Sequence, residues 1–454
     1  MSVLQAVLAF LVALGPLIVV HELGHYVVAR WCGVKVLRFS VGFGRALFSR
    51  RFGRDRTEWV VAALPLGGYV KMVDEREGEV PPEDLPRAFN RQSVWKRLAI
   101  VVAGPLANFL LAIALYWWLF LSGVQEAKPI LAAPEAGTVA AQAGLRAGDL
   151  VRAINDEPVS GWQDVRWRIL QLALDRKSAR LEVADARGAI DWRMLDLSGV
   201  AADAVEGDLL AKLGLRLFRP PLPPVIGEVL PGSVAARAGL ASGDRFVAVD
   251  GAPLATWEAL VAKVRASPDR RLAFEVERAG AIRRVELVPE PVAAGAESIG
   301  RIGASPRVDR ELLKPYEIEV RYGPLEAAGK AAARTWEMSI FSLRMLGKMI
   351  LGTVSWRNLS GPITIADYAG KSASLGLATF LAFLALISIS LGVLNLLPIP
   401  LLDGGHLMYY TIELLKGSPV SERAMELGQR AGLAVLLFLM AFAFYNDINR
   451  LITG

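Results

Sequence analysis

Residues 3–28 read VLQAVLAFLVALGPLIVVHELGHYVV and form the stretch that decides the fold. The run is apolar except for Gln5 and a cluster of His21, Glu22 and His25. As a helix, it is long enough to cross about 30 Å of hydrocarbon. A cleaved signal peptide fits poorly, because no basic region precedes the run and no small-residue cleavage site precedes the cluster. The stretch predicts a membrane-spanning helix with polar side chains near its inner end.

The HELGH motif at residues 21–25 indicates a metal site. Two histidines four residues apart share one helix face and can reach a single Zn²⁺, and Glu22 between them suits a general base. An acidic side chain within a span costs on the order of 2.5–3.5 kcal/mol, so function is the default explanation. The alternative is that these groups are hydrogen-bonded packing residues. Two of the three histidines of the chain stand here at ligand spacing, which favours zinc.

Composition agrees with a membrane protein. Of 454 residues 53% are apolar, and the mean hydropathy is +0.38. The single cysteine, Cys32, excludes intrachain disulfides. The net charge of +6 comes from Lys and Arg next to apolar spans, which argues against nucleic-acid binding.

Three further apolar runs predict membrane spans: Leu98–Leu121, Ala378–Leu397 and Ala431–Tyr445. Residues 30–97 contain 14 Lys and Arg against 8 Asp and Glu, which places this loop in the cytoplasm. By alternation, both termini and the long segment after the second span lie outside. In a Gram-negative cell these parts face the periplasm, and the chain lies in the inner membrane.

A third zinc ligand is expected in NLLPIPLLDGGH, residues 395–406. Its two prolines interrupt the helix, and the freed backbone can turn a side chain toward a cavity. The first and third spans both run inward, so HELGH and Asp403 should lie at similar depth. Asp403 is preferred as the third ligand, and His406 is the rival.

Residues 143–162 and 238–257 repeat one pattern without gaps at a spacing of 95. Each copy contains AGL, a Gly-Asp turn, a strand and a helix beginning near Trp162 or Trp257. The pattern resembles bacterial PDZ domains, which bind peptides by strand addition; spacers that bind nothing are the alternative. Four prolines in residues 220–224 indicate a stiff linker.

Two other segments have recognisable patterns. The stretches Phe39–Phe48 and Trp59–Met72 are β-like, and they suit either an edge that pairs with an unwound substrate or a hairpin that docks the loop. Residues 323–353 carry apolar residues at helical spacing among Lys and Arg, which favours an interfacial helix.

With these residues identified, the chain closely resembles the site-2 protease family over essentially its full length. The motifs that carry the resemblance are HELGH 21–25, RFSVGFG 38–44, LPLGGYVKM 64–72, AGPLANF 103–109, NLSGPI 358–363 and NLLPIPLLDGGH 395–406. The resemblance implies that His21, His25 and Asp403 bind zinc and that Glu22 is the general base. It also implies substrate binding by Asn395 and the neighbouring Pro398 and Pro400, and by a membrane-associated β-hairpin containing Gly42 and Gly44.

The predicted fold is a polytopic α-helical membrane protein of four transmembrane helices with a site-2 protease core, two periplasmic α+β PDZ domains and a membrane-associated β-hairpin. The predicted domains are a helix pair with hairpin, two PDZ domains, connecting amphipathic helices and a final helix pair: 1–124, 125–220, 221–308, 309–375 and 376–454.

The predicted function is hydrolysis of single-span substrates within the membrane. The resemblance implies a pre-trimmed anti-sigma factor of an envelope stress response and remnant signal peptides as substrates, with lipid as a further partner and no nucleic acid. Two rivals are a non-enzymatic scaffold with a structural zinc and a metal transporter. A transporter would need polar residues at several depths, whereas here they cluster at one depth.

Overall fold

The computed structural model describes residues 3–200, 209–294, 297–352, 354–356 and 359–453. They divide into two compact units. One contains the described residues up to 124 and from 319 onward, and the other contains residues 125–200 and 209–318. Asn358, the first residue of the NLSGPI motif, lies outside the described residues.

The first unit begins with a helix, a long hairpin and a second helix. These elements are α1 (Val3–Trp31), β1 (Val36–Phe52), β2 (Thr57–Met72) and α2 (Val94–Ser122). The two β-like stretches of the sequence are therefore strands, and they pair antiparallel. The pairing shifts register around Gly42 and Gly44, whose φ angles of +93° and +87° favour glycine.

The second unit is an α+β arrangement of short elements. In chain order they are β3 (Val124–Ala127), whose first residue belongs to the first unit, α3 (Val139–Gln142), β4 (Leu150–Ile154), β5 (Glu157–Pro158), α4 (Trp162–Leu174), β6 (Ala179–Ala184), β7 (Ile190–Leu195), α5 (Leu209–Lys212), β8 (Ile226–Val229), α6 (Val234–Arg237), β9 (Arg245–Val249), β10 (Ala252–Pro253), α7 (Trp257–Arg265), β11 (Leu272–Arg278), β12 (Ala281–Leu287), β13 (Glu290–Ala294), β14 (Glu297–Arg301), β15 (Ala304–Pro306), α8 (Arg310–Leu313) and β16 (Glu317–Val320), whose last two residues belong to the first unit. Its two four-stranded sheets have the orders β5-β4-β6-β7 and β10-β9-β11-β12, so both repeated segments place their strands in the same order.

The chain then completes the first unit with helices. These are α9 (Pro324–Ile350), α10 (Pro362–Ser374), α11 (Leu377–Asn395), α12 (Asp403–Lys416) and α13 (Glu422–Thr453). The helix expected at 323–353 is α9, which begins with proline at its first position, where a missing N–H costs nothing.

Four helices of the described residues are long and apolar enough to cross a membrane: Phe10–Trp31, Val94–Ser122, Leu377–Asn395 and Glu422–Asn449. The predicted bounds need correction at each of them. The first helix continues to Trp31, and the second extends from Val94 to Ser122. The third helix ends at Asn395 rather than Leu397, because the proline-rich segment breaks it earlier. The fourth extends beyond Ala431–Tyr445 at both ends, since a helix continues into polar residues that an apolar run does not include.

Helix α2 lies at the centre of the first unit. Ala112 and Tyr116 of α2 pack in one buried cluster with Ala331 of α9 and Ile389 of α11. On its other side α2 approaches α1 so closely that a Cβ on Gly24 would lie 2.3 Å from the carbonyl oxygen of Ala103. This close approach brings the HELGH segment of α1 against α2.

Candidate metal centre

His21 and His25 project from the same face of α1, one turn apart. Their Nε2 atoms lie 3.3 Å from each other, and their rings meet edge to face with centroids 4.9 Å apart. The spacing follows from the 3.6-residue period, which stacks positions i and i+4. Both Nε2 atoms therefore face one point.

Asp403 reaches the same point from a different helix. Its Oδ2 lies 3.3 Å from His21 Nε2 and 3.4 Å from His25 Nε2. Helix α11 ends at Asn395, and the chain turns through residues 396–402 before α12 begins at Asp403. The turn is tight, because a Cβ on Gly404 would lie 2.1 Å from the carbonyl oxygen of Leu397. Glycine at this position lets α12 begin next to the end of α11.

These three side chains fit a zinc ion. At ligand bonds of about 2.0–2.1 Å, two tetrahedral ligands stand about 3.3–3.4 Å apart, which is the spacing of all three pairs here. Asp403 Oδ2 is buried and has no hydrogen-bond donor among the described residues. Three electron-pair donors around one point repel each other unless a cation lies between them. Two imidazoles and a carboxylate are also the donor set of catalytic zinc sites, which keep a fourth position open.

Helix α2 orients both imidazoles. Nδ1 of His25 donates to the carbonyl oxygen of Ile100 at 2.8 Å, which leaves the Nε2 lone pair of the neutral ring for a metal. The amide of Asn108 lies 3.2 Å from Nδ1 of His21, and its Oδ1 is a buried atom with no hydrogen-bond partner among the described residues. With the amide turned so that Oδ1 accepts from Nδ1–H, the oxygen gains its partner and His21 also presents a free Nε2.

Glu22 is buried and lies beside the hairpin. A Cβ on Gly68 of β2 would lie 2.7 Å from Cγ of Glu22, so the strand passes directly against this side chain. Gly104 of α2 fits against the histidines in the same way, since its Cβ would lie 2.2 Å from His25 Nε2. The glycines allow the strand and the helix to close around the cluster without filling it.

The remaining predicted site residues lie in the segment that precedes Asp403 and in the hairpin. Asn395 is the last residue of α11 and is half-buried, and Pro398 is exposed in the turn. Pro400 packs on α13, where a Cβ on Gly432 would lie 1.9 Å from its carbonyl oxygen. Gly42 and Gly44 lie where β1 changes register against β2.

His406, the rival ligand, lies on α12 outside the cluster formed by His21, His25 and Asp403. Its ring faces those of Tyr409 and Tyr410, with centroids 6.5 and 6.4 Å away. Burial lowers the pKa of His406 below its ordinary value, and the nearby charge of Arg76 acts in the same direction. A neutral packing residue is the role that these contacts favour.

Sequence reasoning missed the groups that surround the cluster. Gly68, Gly104 and Asn108 stand in the motifs LPLGGYVKM and AGPLANF, which carried the family resemblance without a role for single residues. No sequence pattern identifies the carbonyl oxygen of Ile100, because every residue supplies a backbone carbonyl.

Comparison with known proteins agrees with this site. The model of peptidase family M50 matches residues 9–439. A Ralstonia nicotianae protein named provisionally as a zinc metalloprotease is 49% identical over 98% of this chain and 98% of its own length. The regulator of sigma-E protease RseP of Escherichia coli is 44% identical over 99% of this chain and 100% of its own, and the protease RseP of Yersinia pestis is 42% identical over the same shares. A match over nearly the whole length, with a ligand cluster inside it, establishes that the chain belongs to peptidase family M50.

Proposed function

We propose that this peptidase is an intramembrane zinc endopeptidase that hydrolyses peptide bonds within single-span membrane proteins. The observation that carries the proposal is the triangle of His21, His25 and Asp403 beside the buried carboxylate of Glu22. Two of these ligands lie on a helix long and apolar enough to span a membrane. Hydrolysis is therefore expected inside the membrane-embedded part of the molecule.

Each side chain has a separate role in the proposed reaction. His21, His25 and Asp403 hold zinc, and Ile100 and Asn108 keep the two rings aimed at it. When bound, zinc supplies Lewis acidity, which polarises the scissile carbonyl and makes water more acidic. Glu22 accepts the proton of the attacking water and passes it to the leaving amine.

A substrate must lose its helical hydrogen bonds before it can be cut, because a transmembrane helix hides its peptide bonds. Strand β2 passes Glu22 at Gly68, so an unwound segment that pairs with the hairpin would lie beside the general base. Gly42 and Gly44 shape the opposite strand, and Asn395, with Pro398 and Pro400, is assigned to hold the substrate backbone from the end of α11.

The proposed natural substrates are a pre-trimmed anti-sigma factor and remnant signal peptides. Four of the relatives are named as regulators of sigma-E, which supports the first of these. Segments 125–220 and 221–308 are proposed to be PDZ domains that exclude bulky substrates or bind a newly formed C-terminus. The shared strand order of their sheets supports this assignment.

The proposed location is the inner membrane of a Gram-negative bacterium. The basic loop at 30–97 faces the cytoplasm, and both termini and the PDZ domains face the periplasm. The excess of Lys and Arg in that loop supports this orientation.

Reconstituted protein and a single-span model substrate test the proposal. Glu22→Gln should abolish cleavage and retain zinc, whereas Asp403→Ala should lose both. His406→Asn is the matched control, which should retain zinc. Cleavage by Glu22→Gln would exclude the role of Glu22, and unchanged zinc in Asp403→Ala would move the third ligand elsewhere.

A further inference from the structure

The turn of the β1–β2 hairpin carries an unusual concentration of uncompensated positive charge. Residues 45–56, called the hairpin tip below, read RALFSRRFGRDR and contain five arginines, all exposed: Arg45, Arg50, Arg51, Arg54 and Arg56. None of the five forms an ion pair with a carboxylate of the described residues.

The acidic groups nearest in sequence are already occupied. Asp55 accepts two hydrogen bonds from the guanidinium of Arg87, both at 2.7 Å. Glu58 is held by Arg38 at 2.8 Å. The charge of the tip is therefore free to attract an external anion.

The hairpin tip also exposes large apolar side chains. Leu47, Phe48 and Phe52 are 71%, 58% and 47% exposed. The guanidinium of Arg50 lies over the ring of Phe52, 4.8 Å from its centroid. Exposed aromatic and aliphatic side chains among arginines are typical of a surface that lies at a lipid interface.

The position of the tip agrees with an interface. A Cβ on Gly53 would lie 3.7 Å from Nη1 of Arg30, which is in the last turn of α1. The next residue, Trp31, is 82% exposed, and Trp95 at the start of α2 is 70% exposed. Exposed tryptophans at the ends of membrane helices mark the headgroup level, so the tip is placed close to that level.

We propose that the hairpin tip binds the phosphate headgroups of anionic phospholipids. The arginines supply the charge complementarity, and Leu47, Phe48 and Phe52 insert at the boundary of the acyl chains. The binding would hold the turn of the hairpin at the membrane surface while Gly68, in the interior of β2, lies beside Glu22. The inference depends on the membrane spans and is independent of the zinc chemistry.

Native mass spectrometry of the full-length protein in detergent tests the inference, with added phosphatidylglycerol compared against phosphatidylcholine. The wild type should bind phosphatidylglycerol more tightly. Raising the ammonium acetate concentration from about 0.1 to about 1 M, which shortens the screening length from about 10 to about 3 Å, should weaken that binding. Each basic side chain near an anionic surface contributes a factor on the order of five. The triple variant R50Q/R51Q/R54Q should therefore lose phosphatidylglycerol affinity by about ten- to hundredfold.

Two controls separate charge from folding. R50K/R51K/R54K retains the charge and should retain most of the affinity. R219Q/R270Q/R283Q removes three exposed arginines from the second unit and should leave lipid binding unchanged. Equal affinity of the wild type for both lipids, or equal loss in R50Q/R51Q/R54Q and R219Q/R270Q/R283Q, would overturn the proposal.

Discussion

Arg97 of α2 donates two hydrogen bonds to the carboxylate of Glu413 on α12, at 3.1 and 2.7 Å. Both side chains are buried, with exposed fractions of 10% and 12%, and the guanidinium also lies over the ring of Tyr410. Helix α12 begins at Asp403, and α2 supplies the groups that orient His21 and His25. The pair therefore connects the helix of the third candidate ligand to the helix that orients the other two.

Breaking this pair should loosen the metal centre. Glu413→Leu leaves the charge of Arg97 buried without a carboxylate to balance it, which typically costs about 3–5 kcal/mol. We expect a lower unfolding temperature and weaker zinc retention, measured by thermal unfolding in detergent and by metal analysis after dialysis against a chelator.

The double variant R97M/E413L is the control for that experiment, because it removes both charges and should recover much of the stability. Glu426→Gln breaks an exposed pair with Arg430 and should change neither quantity. If Glu413→Leu kept the zinc and unfolding temperature of the wild type, the pair would have no role in positioning α12.

A second long-range contact involves Asp447 of α13. Its carboxylate accepts backbone hydrogen bonds from Gly361, Ile363 and Thr364 at 3.0, 2.9 and 3.1 Å. Asp447 thus caps the start of α10, which packs against α1 through Ala369. Asp447→Ala should destabilise the first unit by about 1–3 kcal/mol, because buried donors lose their acceptor.

Hydrogen exchange of the Ile363 and Thr364 amides measures this effect, and both should exchange faster in Asp447→Ala. Asp367→Asn is the matched control, since its pair with Lys371 on the same helix is exposed. Unchanged protection at Ile363 would show that α10 does not need the cap.

The sequence predicted the parts of this site that depend on local pattern. His21 and His25 follow from helical periodicity, and the break before Asp403 follows from Pro398 and Pro400. Tertiary contacts were not predictable in this way, since Arg97 and Glu413 are 316 residues apart and a lone arginine has many possible partners. The predicted helix bounds differ from the observed ones where an apolar run and the helical hydrogen bonds end at different residues. In the third span, the apolar run continues to Leu397 but the helix ends at Asn395.

The second unit should show a local dependence on pH. Asp244 is buried and accepts hydrogen bonds of 2.6 Å from both Nε and Nη2 of Arg278, which hold its pKa below the ordinary value. Because the pKa of Asp244 is lower in the folded protein, the stabilisation from its pair with Arg278 is complete above the unfolded pKa of about 3.9. It is lost as the pH falls through the folded-state pKa.

Arg278→Gln should remove most of that dependence and destabilise the second unit at neutral pH. Hydrogen exchange of the Phe274 and Val276 amides, corrected for its intrinsic pH dependence, measures both effects. Arg271→Gln breaks an exposed pair with Glu286 and should behave like the wild type. An identical acid response in Arg278→Gln would assign the effect to another group.

Adding one methyl group at Gly104 directly tests how closely α2 packs against the metal centre. Gly104→Ala would place Cβ 2.2 Å from His25 Nε2 and 2.8 Å from His21 Cε1, where no atom fits without moving a ring or a helix. A displacement of even about 1 Å can cost on the order of a hundredfold in rate. We expect Gly104→Ala to lose bound zinc and cleavage together, as measured by metal analysis and by the model-substrate assay.

Gly15→Ala is the matched control for this substitution, because Gly15 lies on the same helix as the histidines and its Cβ would meet nothing within 4 Å. It should retain zinc and activity. Circular dichroism and the elution volume of both variants distinguish a local loss of the site from failure to fold. A folded Gly104→Ala that binds zinc like the wild type would mean that α2 does not pack against the imidazoles as closely as described, and the assigned orienting role of Ile100 and Asn108 would fail with it.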